Sequence, residues 1–248
     1  MDFSGFEFSQ NALNTFKTCP KKFGYKYEQG INWKKEDEEE YYKSLKYGVE
    51  FHLMCERYFS NIPVGNFSGD KKYEKFSKWL ERVKNVVPIY KDREYLTEYG
   101  LSIKIDEESR LNVKYDLAII YRESGVLCID IWDWKTENRK INYNDLEKRM
   151  QTIVYMSVAY EIIPKIYGKN NEKVRVRMYY YQPEYYLEPI EIKYNEEKFK
   201  NDKNKINNLI KEIKKSDFKD KNLNSCKFCE FNMLCNQKNI NDIAYEEY

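Results

Sequence analysis

Apolar residues recur along this chain with two different periods, and they divide it into helical segments around a β-rich centre. Apolar positions three or four residues apart predict helices within the following segments: 9–28, 41–59, 71–86, 144–163 and 193–215. Ser9 caps the first of these helices, and Pro164 ends the fourth. Between them, apolar strands separated by polar turns predict a three-stranded meander over 99–135, and a further strand follows at 174–181. This order predicts an α/β or α+β fold with a central mixed β-sheet flanked by helices.

The length and composition favour a single globular domain. The 248 residues are enough to bury a large core, and no linker rich in Pro, Gly or Ser interrupts them, so we predict one domain over 1–248. No apolar run approaches the ~20 residues that cross a bilayer, and no secretory signal is recognisable. We therefore expect a cytoplasmic protein without a membrane partner. The 43 basic and 41 acidic residues nearly balance, so binding to nucleic acid would need local basic patches.

Acidic residues interrupt the last two strands of the predicted meander. Residues two apart in a strand point to the same side, so Asp133 and Lys135 project together beyond the apolar run 127–131. Asp116 lies in the neighbouring strand, where an unpaired carboxylate is costly. Two carboxylates on adjacent strands offer the oxygen ligands that Mg²⁺ and Mn²⁺ prefer, and a lysine beside them can stabilise charge during phosphodiester hydrolysis. The alternative is an ordinary surface pair of Asp133 and Lys135, because short motifs recur by chance.

His52 is the only histidine of the chain, which excludes zinc sites that need two. It shares a helical face with Gly48, whose missing side chain permits another backbone to approach closely. His52 is therefore either a metal ligand or a packing residue, and an imidazole beside carboxylates favours Mn²⁺. Glu98, before the first meander strand, is a further acidic candidate, although Asp92 and Glu94 lie equally near in sequence.

Six cysteines in a chain without a recognisable secretory signal favour metal or cluster ligation over disulfide bonds. Three of them lie close together near the end of the sequence: Cys226, Cys229 and Cys235. Thiolates suit zinc and iron-sulfur clusters about equally, so this spacing leaves both open. We predict that Cys55 and Cys128 are packing residues, since Cys128 lies in an apolar strand and buried thiols behave as small hydrophobic groups.

In their order along the chain, these motifs resemble those of the PD-(D/E)XK nuclease superfamily, and within it the RecB-like branch. That branch includes the nuclease domains of bacterial helicase-nucleases and the small CRISPR-associated exonucleases. Residues 9–27 look like its opening pattern, S-x3-L-x2-F-x2-C-P-x2-F-x3-Y. Gly48-x3-His52 looks like its helical histidine motif, and Gln151-x3-Tyr155 looks like its Q-x3-Y motif.

The resemblance has two departures, neither of which removes an expected metal ligand. Val113 stands where the family often has glycine, and Glu137 follows Thr136 where the family usually has glycine. The resemblance implies a restriction-endonuclease-like core with catalysis by three residues: Asp116, Asp133 and Lys135. It implies Mn²⁺ or Mg²⁺ bound by four residues: His52, Asp116, Asp133 and Trp134.

The resemblance also implies DNA contacts and an iron-sulfur cluster. Gln151 and Tyr155 would contact DNA near the active site, although Tyr155 is alternatively a core residue beside Val154 and Val158. A [4Fe-4S] cluster would be bound by four cysteines: Cys19, Cys226, Cys229 and Cys235. Such a cluster would join segment 1–30 to segment 222–248 within one domain.

The function implied by these residues is that of a metal-dependent DNA exonuclease acting on single-stranded or flapped ends in DNA repair or recombination. One alternative is a CRISPR-associated nuclease that processes DNA for spacer integration. Another is a catalytically inactive nucleic-acid-binding module, against which the retained Asp116, Asp133 and Lys135 argue. The expected partners are DNA and either a helicase or a CRISPR integration complex, because the sequence has no G-x4-G-K-[ST] helicase motif of its own.

Overall fold

The computed structural model describes residues 2–32, 39–65, 71–185 and 188–236. Side chains are described throughout these ranges except at 39–45, 71–73 and 228. The last part of the expected cysteine region, 237–248, therefore lies outside the described residues. Within the described ranges, no helix combines the length and the apolar character that a membrane crossing requires.

Six strands of the described chain form one mixed sheet. They are β1 (Phe6–Ser9), β2 (Glu94–Lys104), β3 (Ser109–Glu123), β4 (Val126–Trp134), β5 (Lys173–Tyr181) and β6 (Ile190–Lys193). The expected meander is present, since β3 pairs antiparallel with both β2 and β4. Strand β5 then runs parallel to β4, and β1 runs parallel to β3. The central mixed sheet predicted from the sequence is confirmed. The strands β1 and β6 have four residues each, too few to show a clear alternation.

The long strand β3 has a gap in its pairing along one edge. Strand β2 follows one edge of β3 from 110 to 120, so β1 and β4 share the other edge. On that edge β1 pairs with 109–112 and β4 pairs with 117–123. Residues 113–116 therefore pair with neither strand, and the sheet is split beside Asp116.

Helices cover the sheet on both faces. They are α1 (Gln10–Thr18), α2 (Pro20–Phe23), α3 (Glu39–Phe59), α4 (Lys71–Val86), α5 (Tyr143–Glu147), α6 (Met150–Tyr167), α7 (Glu196–Lys215) and α8 (Asn232–Cys235). Ser9 caps α1 as expected, because its Oγ accepts a hydrogen bond from the Ala12 N–H at 3.2 Å. The predicted helix over 144–163 is wrong in two respects. It is divided into α5 and α6, and Pro164 lies inside α6, where the Gly168 N–H bonds to the Pro164 carbonyl and closes a last turn.

Two apolar clusters, one on each face of the sheet, form the core. The first lies under α1, α6 and α7 and includes Leu13, Ile129 and Val154. The second lies under α3 and α4 and includes Phe51 and Cys128. Burying each such large side chain stabilises the fold by about 1.5–3 kcal/mol. Because both faces are covered, β4 reads as an almost continuous apolar run, and its only charged side chains are two aspartates.

The alternation of faces along β3 reverses at Asp116. Val113 and Tyr115 belong to the first cluster, whereas Leu117 and Ile119 belong to the second. Strict alternation would have kept all four on one face. Asp116 thus lies where β3 changes face and where its pairing with β4 has not yet begun, and both features leave its carboxylate free to face a cleft.

Candidate functional site

The first two acidic residues meet where β3 and β4 separate. The last pair between these strands is Leu117 with Trp132, so the next position in the register places Asp116 opposite Asp133. The Trp134 N–H donates a hydrogen bond to Asp116 Oδ2 at 2.8 Å. Two carboxylates that the sequence predicted on adjacent strands therefore lie side by side at the exit of β4.

Helix α3 brings His52 to Asp116. The His52 Nδ1 lies 3.3 Å from Asp116 Oδ1. Burial lowers the pKa of His52, but the hydrogen bond and charge of Asp116, with the charge of Asp133, outweigh burial and raise it. One turn earlier, a Cβ built at Gly48 would lie 2.9 Å from Thr136 Oγ1. Gly48 thus permits a close approach as expected, but the neighbour is a side chain and not a backbone.

Glu98 joins these residues, whereas the sequence alone did not distinguish it from Asp92 and Glu94. Ligand atoms of His52, Glu98 and Asp116 all lie within 4.8 Å of one another. Among the residues that the structure describes, this is the one group of three or more His, Cys, Asp or Glu side chains that converges so closely, so Asp92 and Glu94 do not contribute. The signal that could have found Glu98 is the register of the hairpin formed by β2 and β3. Lys104 pairs with Arg110 next to the turn, and continuing this register away from the turn places Glu98 opposite Asp116.

Asp133 and Lys135 form a second, more buried group with Gln151. Lys135 Nζ lies 2.7 Å from Asp133 Oδ2 and donates a hydrogen bond to Gln151 Oε1 at 3.0 Å. Gln151 Nε2 donates to Asp133 Oδ1 at 2.6 Å, which closes a triangle of three side chains. Asp133 is only 3% exposed, and burial raises its pKa although the charge of Lys135 opposes this. An ordinary surface pair of Asp133 and Lys135 is therefore the wrong interpretation.

The remaining expected site residues are mostly buried. The Trp134 ring is 2% exposed and stacks between Phe59 and Trp132, so any contact of Trp134 with a metal would come from its backbone. Tyr155 is 9% exposed and packs edge to face on Tyr115 with ring centroids 5.1 Å apart. Gln151 is engaged with the lysine and carboxylate already described. The expected DNA contacts of Gln151 and Tyr155 stay predictions.

The three metal-site residues line a large, open cleft. Its volume is about 1,020 Å³, and its walls carry both charges and exposed apolar side chains. Lysines line it at Lys75, Lys114 and Lys135. Val49 and Leu53, on the exposed side of α3, are 69% and 50% exposed at its rim. The cleft can therefore admit an extended, negatively charged ligand with apolar parts.

Comparison with known protein families shows which family this chain belongs to. The family described as the PD-(D/E)XK nuclease superfamily matches residues 7–236. This chain belongs to the PD-(D/E)XK nuclease superfamily. Nucleases of this superfamily use divalent metals, and the His52, Glu98 and Asp116 group is a site of the right chemistry for one.

Comparison with solved structures shows a similar fold. A candidate exonuclease from Eubacterium rectale is similar with a TM-score of 0.57 and 11% identity, over 94% of this chain and 88% of that one. SSO0001 is 11% identical over 92% of this chain and 85% of that one, with a TM-score of 0.37, which is too low to show a common fold. A search of curated proteins found no match.

A second pocket of this nuclease gathers the four separated cysteines. Cys19, Cys226, Cys229 and Cys235 all line one cavity of about 290 Å³. The chain ends also contact each other directly around it, since Lys22 and Glu230 form an ion pair at 2.7 Å and Tyr25 packs on Phe231.

The two other cysteines lie far from this pocket in the second core cluster. Cys55 and Cys128 are both fully buried there, so their predicted packing positions are confirmed.

Proposed function

We propose that this nuclease is a divalent-metal-dependent DNA exonuclease of the RecB-like branch, acting on single-stranded or flapped ends in DNA repair or recombination. The observation that carries the proposal is the convergence of His52, Glu98 and Asp116 within 4.8 Å of one another. They lie in the same cleft as Lys135, which the buried Asp133 holds in place. This is the set of groups that hydrolysis of a phosphodiester requires.

The proposed roles of the side chains follow from their contacts. A bound Mn²⁺ or Mg²⁺ supplies polarisation of the scissile phosphate and acidification of a water molecule. His52, Asp116 and Asp133 would hold the metal together with the backbone of Trp134, and the imidazole favours Mn²⁺ over a purely oxygen-ligated ion. Lys135 is fixed by Asp133 at 2.7 Å and Gln151 at 3.0 Å, so its charge is already oriented before substrate binds. Such a preoriented group typically accelerates the reaction by about 10²–10³-fold.

The preference for unpaired DNA is supported by the rim of the cleft. Val49 and Leu53 lie one turn apart on α3, and His52 lies next to Leu53 on the same helix. A duplex keeps its base faces stacked inside, whereas a single strand exposes them to apolar side chains such as these near the metal residues. Binding of duplex DNA would leave these two exposed side chains against sugar and phosphate. A helicase or a CRISPR integration complex stays a predicted partner.

A [4Fe-4S] cluster bound by Cys19, Cys226, Cys229 and Cys235 is part of the proposal. Tetrahedral zinc with sulfur ligands at 2.3 Å needs sulfur atoms about 3.8 Å apart. No three cysteines of the described chain lie within 4.8 Å of one another, although all four line one cavity of about 290 Å³. This wider arrangement favours a multi-iron cluster over a single zinc ion. The cluster would tie 1–30 to the C-terminal segment and keep 1–248 as one domain.

Cleavage of matched single strands tests the proposed activity. We expect labelled linear DNA to be degraded with Mn²⁺ or Mg²⁺, and circular single strands and strands with both ends blocked to stay intact. Asp133→Asn and Lys135→Ala should abolish degradation, while the exposed Asp92→Asn serves as the matched control. Cleavage of circular strands would overturn the exonuclease assignment. Full activity in a chelator, or in Asp133→Asn, would overturn the assigned site.

A further inference from the structure

We propose that Glu98 is an additional ligand of the metal centre and that Lys114 occupies its carboxylate until the metal binds. On binding, the Glu98–Lys114 ion pair opens, and the freed Lys114 ammonium contacts a phosphate of the DNA. Metal binding would thereby create part of the DNA-binding surface. This inference rests on the proposed function, because it concerns the same cleft.

The strand register places two carboxylates in direct opposition. Thr97 pairs with Leu117 and Tyr99 pairs with Tyr115, so Glu98 faces Asp116 across the two strands. No pair is formed at this position itself, and Glu98 has a left-handed backbone with φ of 47°. Like charges directly opposite each other destabilise a sheet unless a cation lies between them. A positive charge between Glu98 and Asp116 would therefore stabilise this part of the sheet.

Lys114 supplies part of that charge. Its ammonium forms an ion pair with Glu98, and Glu98 raises the pKa of Lys114 through this hydrogen bond, with smaller effects of Glu56 and Asp116. The Lys114 side chain is 64% exposed and that of Glu98 is 26% exposed. An ion pair this open to water contributes little stability, so a divalent cation can displace the ammonium at small cost.

The displaced lysine stays within reach of a bound strand. Lys114 and Asp116 are two residues apart on β3 and both line the cleft. The flexible four-carbon stem of lysine lets its ammonium move from Glu98 to a phosphate oxygen near the metal residues. Without a metal, Glu56, Glu98 and Asp116 outweigh this lysine in their part of the cleft, and their negative charge would repel a phosphate placed beside them. A divalent metal ion neutralises that local negative charge.

Titration calorimetry with Mn²⁺ alone tests the ligand and the exchange separately. Glu98→Gln should weaken Mn²⁺ binding by about tenfold or more. Lys114→Ala should tighten it by about three- to tenfold, because a competing positive charge is removed. Glu94→Gln on the same strand and Lys104→Ala, which also breaks a lysine–glutamate pair, are matched controls and should bind Mn²⁺ like the unaltered protein.

Binding of a non-hydrolysable phosphorothioate single strand tests the second half of the proposal. Fluorescence anisotropy should show that Mn²⁺ increases DNA affinity in the unaltered protein and much less in Lys114→Ala. Unchanged or weaker Mn²⁺ binding by Lys114→Ala would overturn the exchange. Equal Mn²⁺ affinity of Glu98→Gln and the unaltered protein would overturn the ligand role. If Glu98→Gln does not fold, the Mn²⁺ affinity of Glu98→Asp, which keeps the charge on a shorter side chain, is measured instead.

The metal centre itself is tested independently. His52→Ala and Asp116→Asn should both lose Mn²⁺ binding. If these two variants lose Mn²⁺ binding while Glu98→Gln retains it, only the ligand role of Glu98 is refuted. If all three bind Mn²⁺ like the unaltered protein, the metal centre of the proposed function fails as well.

Discussion

Gln151 is the residue whose replacement best distinguishes a positioning role from a direct DNA contact. Its amide bridges Asp133 Oδ1 at 2.6 Å and Lys135 Nζ at 3.0 Å. Gln151→Leu keeps a similar volume but removes both hydrogen bonds. Asp133 then keeps its ion pair with Lys135, and Lys135 keeps Asp133 and the Tyr180 ring, whose centroid lies 5.3 Å from Nζ, but loses its hydrogen bond to the amide.

The expected magnitude follows from these two contacts. Hydrogen bonds to charged groups contribute about 1.5–3 kcal/mol each. The Lys135 side chain is 14% exposed, so water can replace part of its lost bond, and the lower end of the range is appropriate. With two such bonds removed, we expect Gln151→Leu to lower the free energy of unfolding by about 3 kcal/mol, which corresponds to a Tm lower by roughly 6–12 °C for a chain of this size. Misplacement of Lys135 by about 1 Å should lower kcat by about 10²-fold.

The assay combines unfolding and kinetics on the same preparations. Urea unfolding followed by tryptophan fluorescence gives the stability without metal, and cleavage with Mn²⁺ gives kcat and KM. Tyr155→Phe is a graded control, because it keeps the packed ring and removes a hydroxyl that contacts Gln151. The reasoning is refuted if Gln151→Leu is as stable as the unaltered protein and raises only KM, since that is the result expected of a residue that contacts DNA alone.

Three further changes have defined outcomes. Gly48→Ala gains up to about 1 kcal/mol of helix propensity but adds a Cβ 2.9 Å from Thr136 Oγ1, so we expect a net loss of about 0–2 kcal/mol that Thr136→Ala relieves in a double-mutant cycle. Cys19→Ser should remove the brown colour, iron and acid-labile sulfide of anaerobically purified protein, whereas serine at either core cysteine should not; stoichiometric zinc in a colourless preparation would exclude the cluster. Lys214 lowers the pKa of Asp106 from 3.8 to about 2, so the stability that Asp106 contributes is complete above pH 4 and is lost as the pH falls toward 2. The difference in urea stability between the unaltered protein and Asp106→Asn should therefore shrink over that interval, and a difference that grew on acidification would contradict it.

The sequence by itself determined the parts of this protein that depend on one segment at a time. The periodicity of α4 predicted its bounds, 71–86, without error. The geometry of a strand was enough to place Asp133 and Lys135 on one side, because alternation is a property of a single extended segment. Capping by Ser9 was likewise predictable, since the cap involves residues three apart.

Only the tertiary structure decided how distant segments meet. The position of Glu98 opposite Asp116 depends on the register between β2 and β3, where one residue of slip would turn its side chain to the other face. The hydrogen bonds of Gln151 to Asp133 and Lys135 depend on how α6 packs on β4. The helical pattern of α6 is the same whether or not a lysine lies near its glutamine, so that pattern cannot predict them. Cys19 is separated by more than 200 residues from the other three cysteines of its pocket, and contacts between the N-terminal and C-terminal segments bring them together. Each of these three arrangements is stabilised by contacts between segments far apart in sequence, and a local pattern of residues cannot predict such contacts.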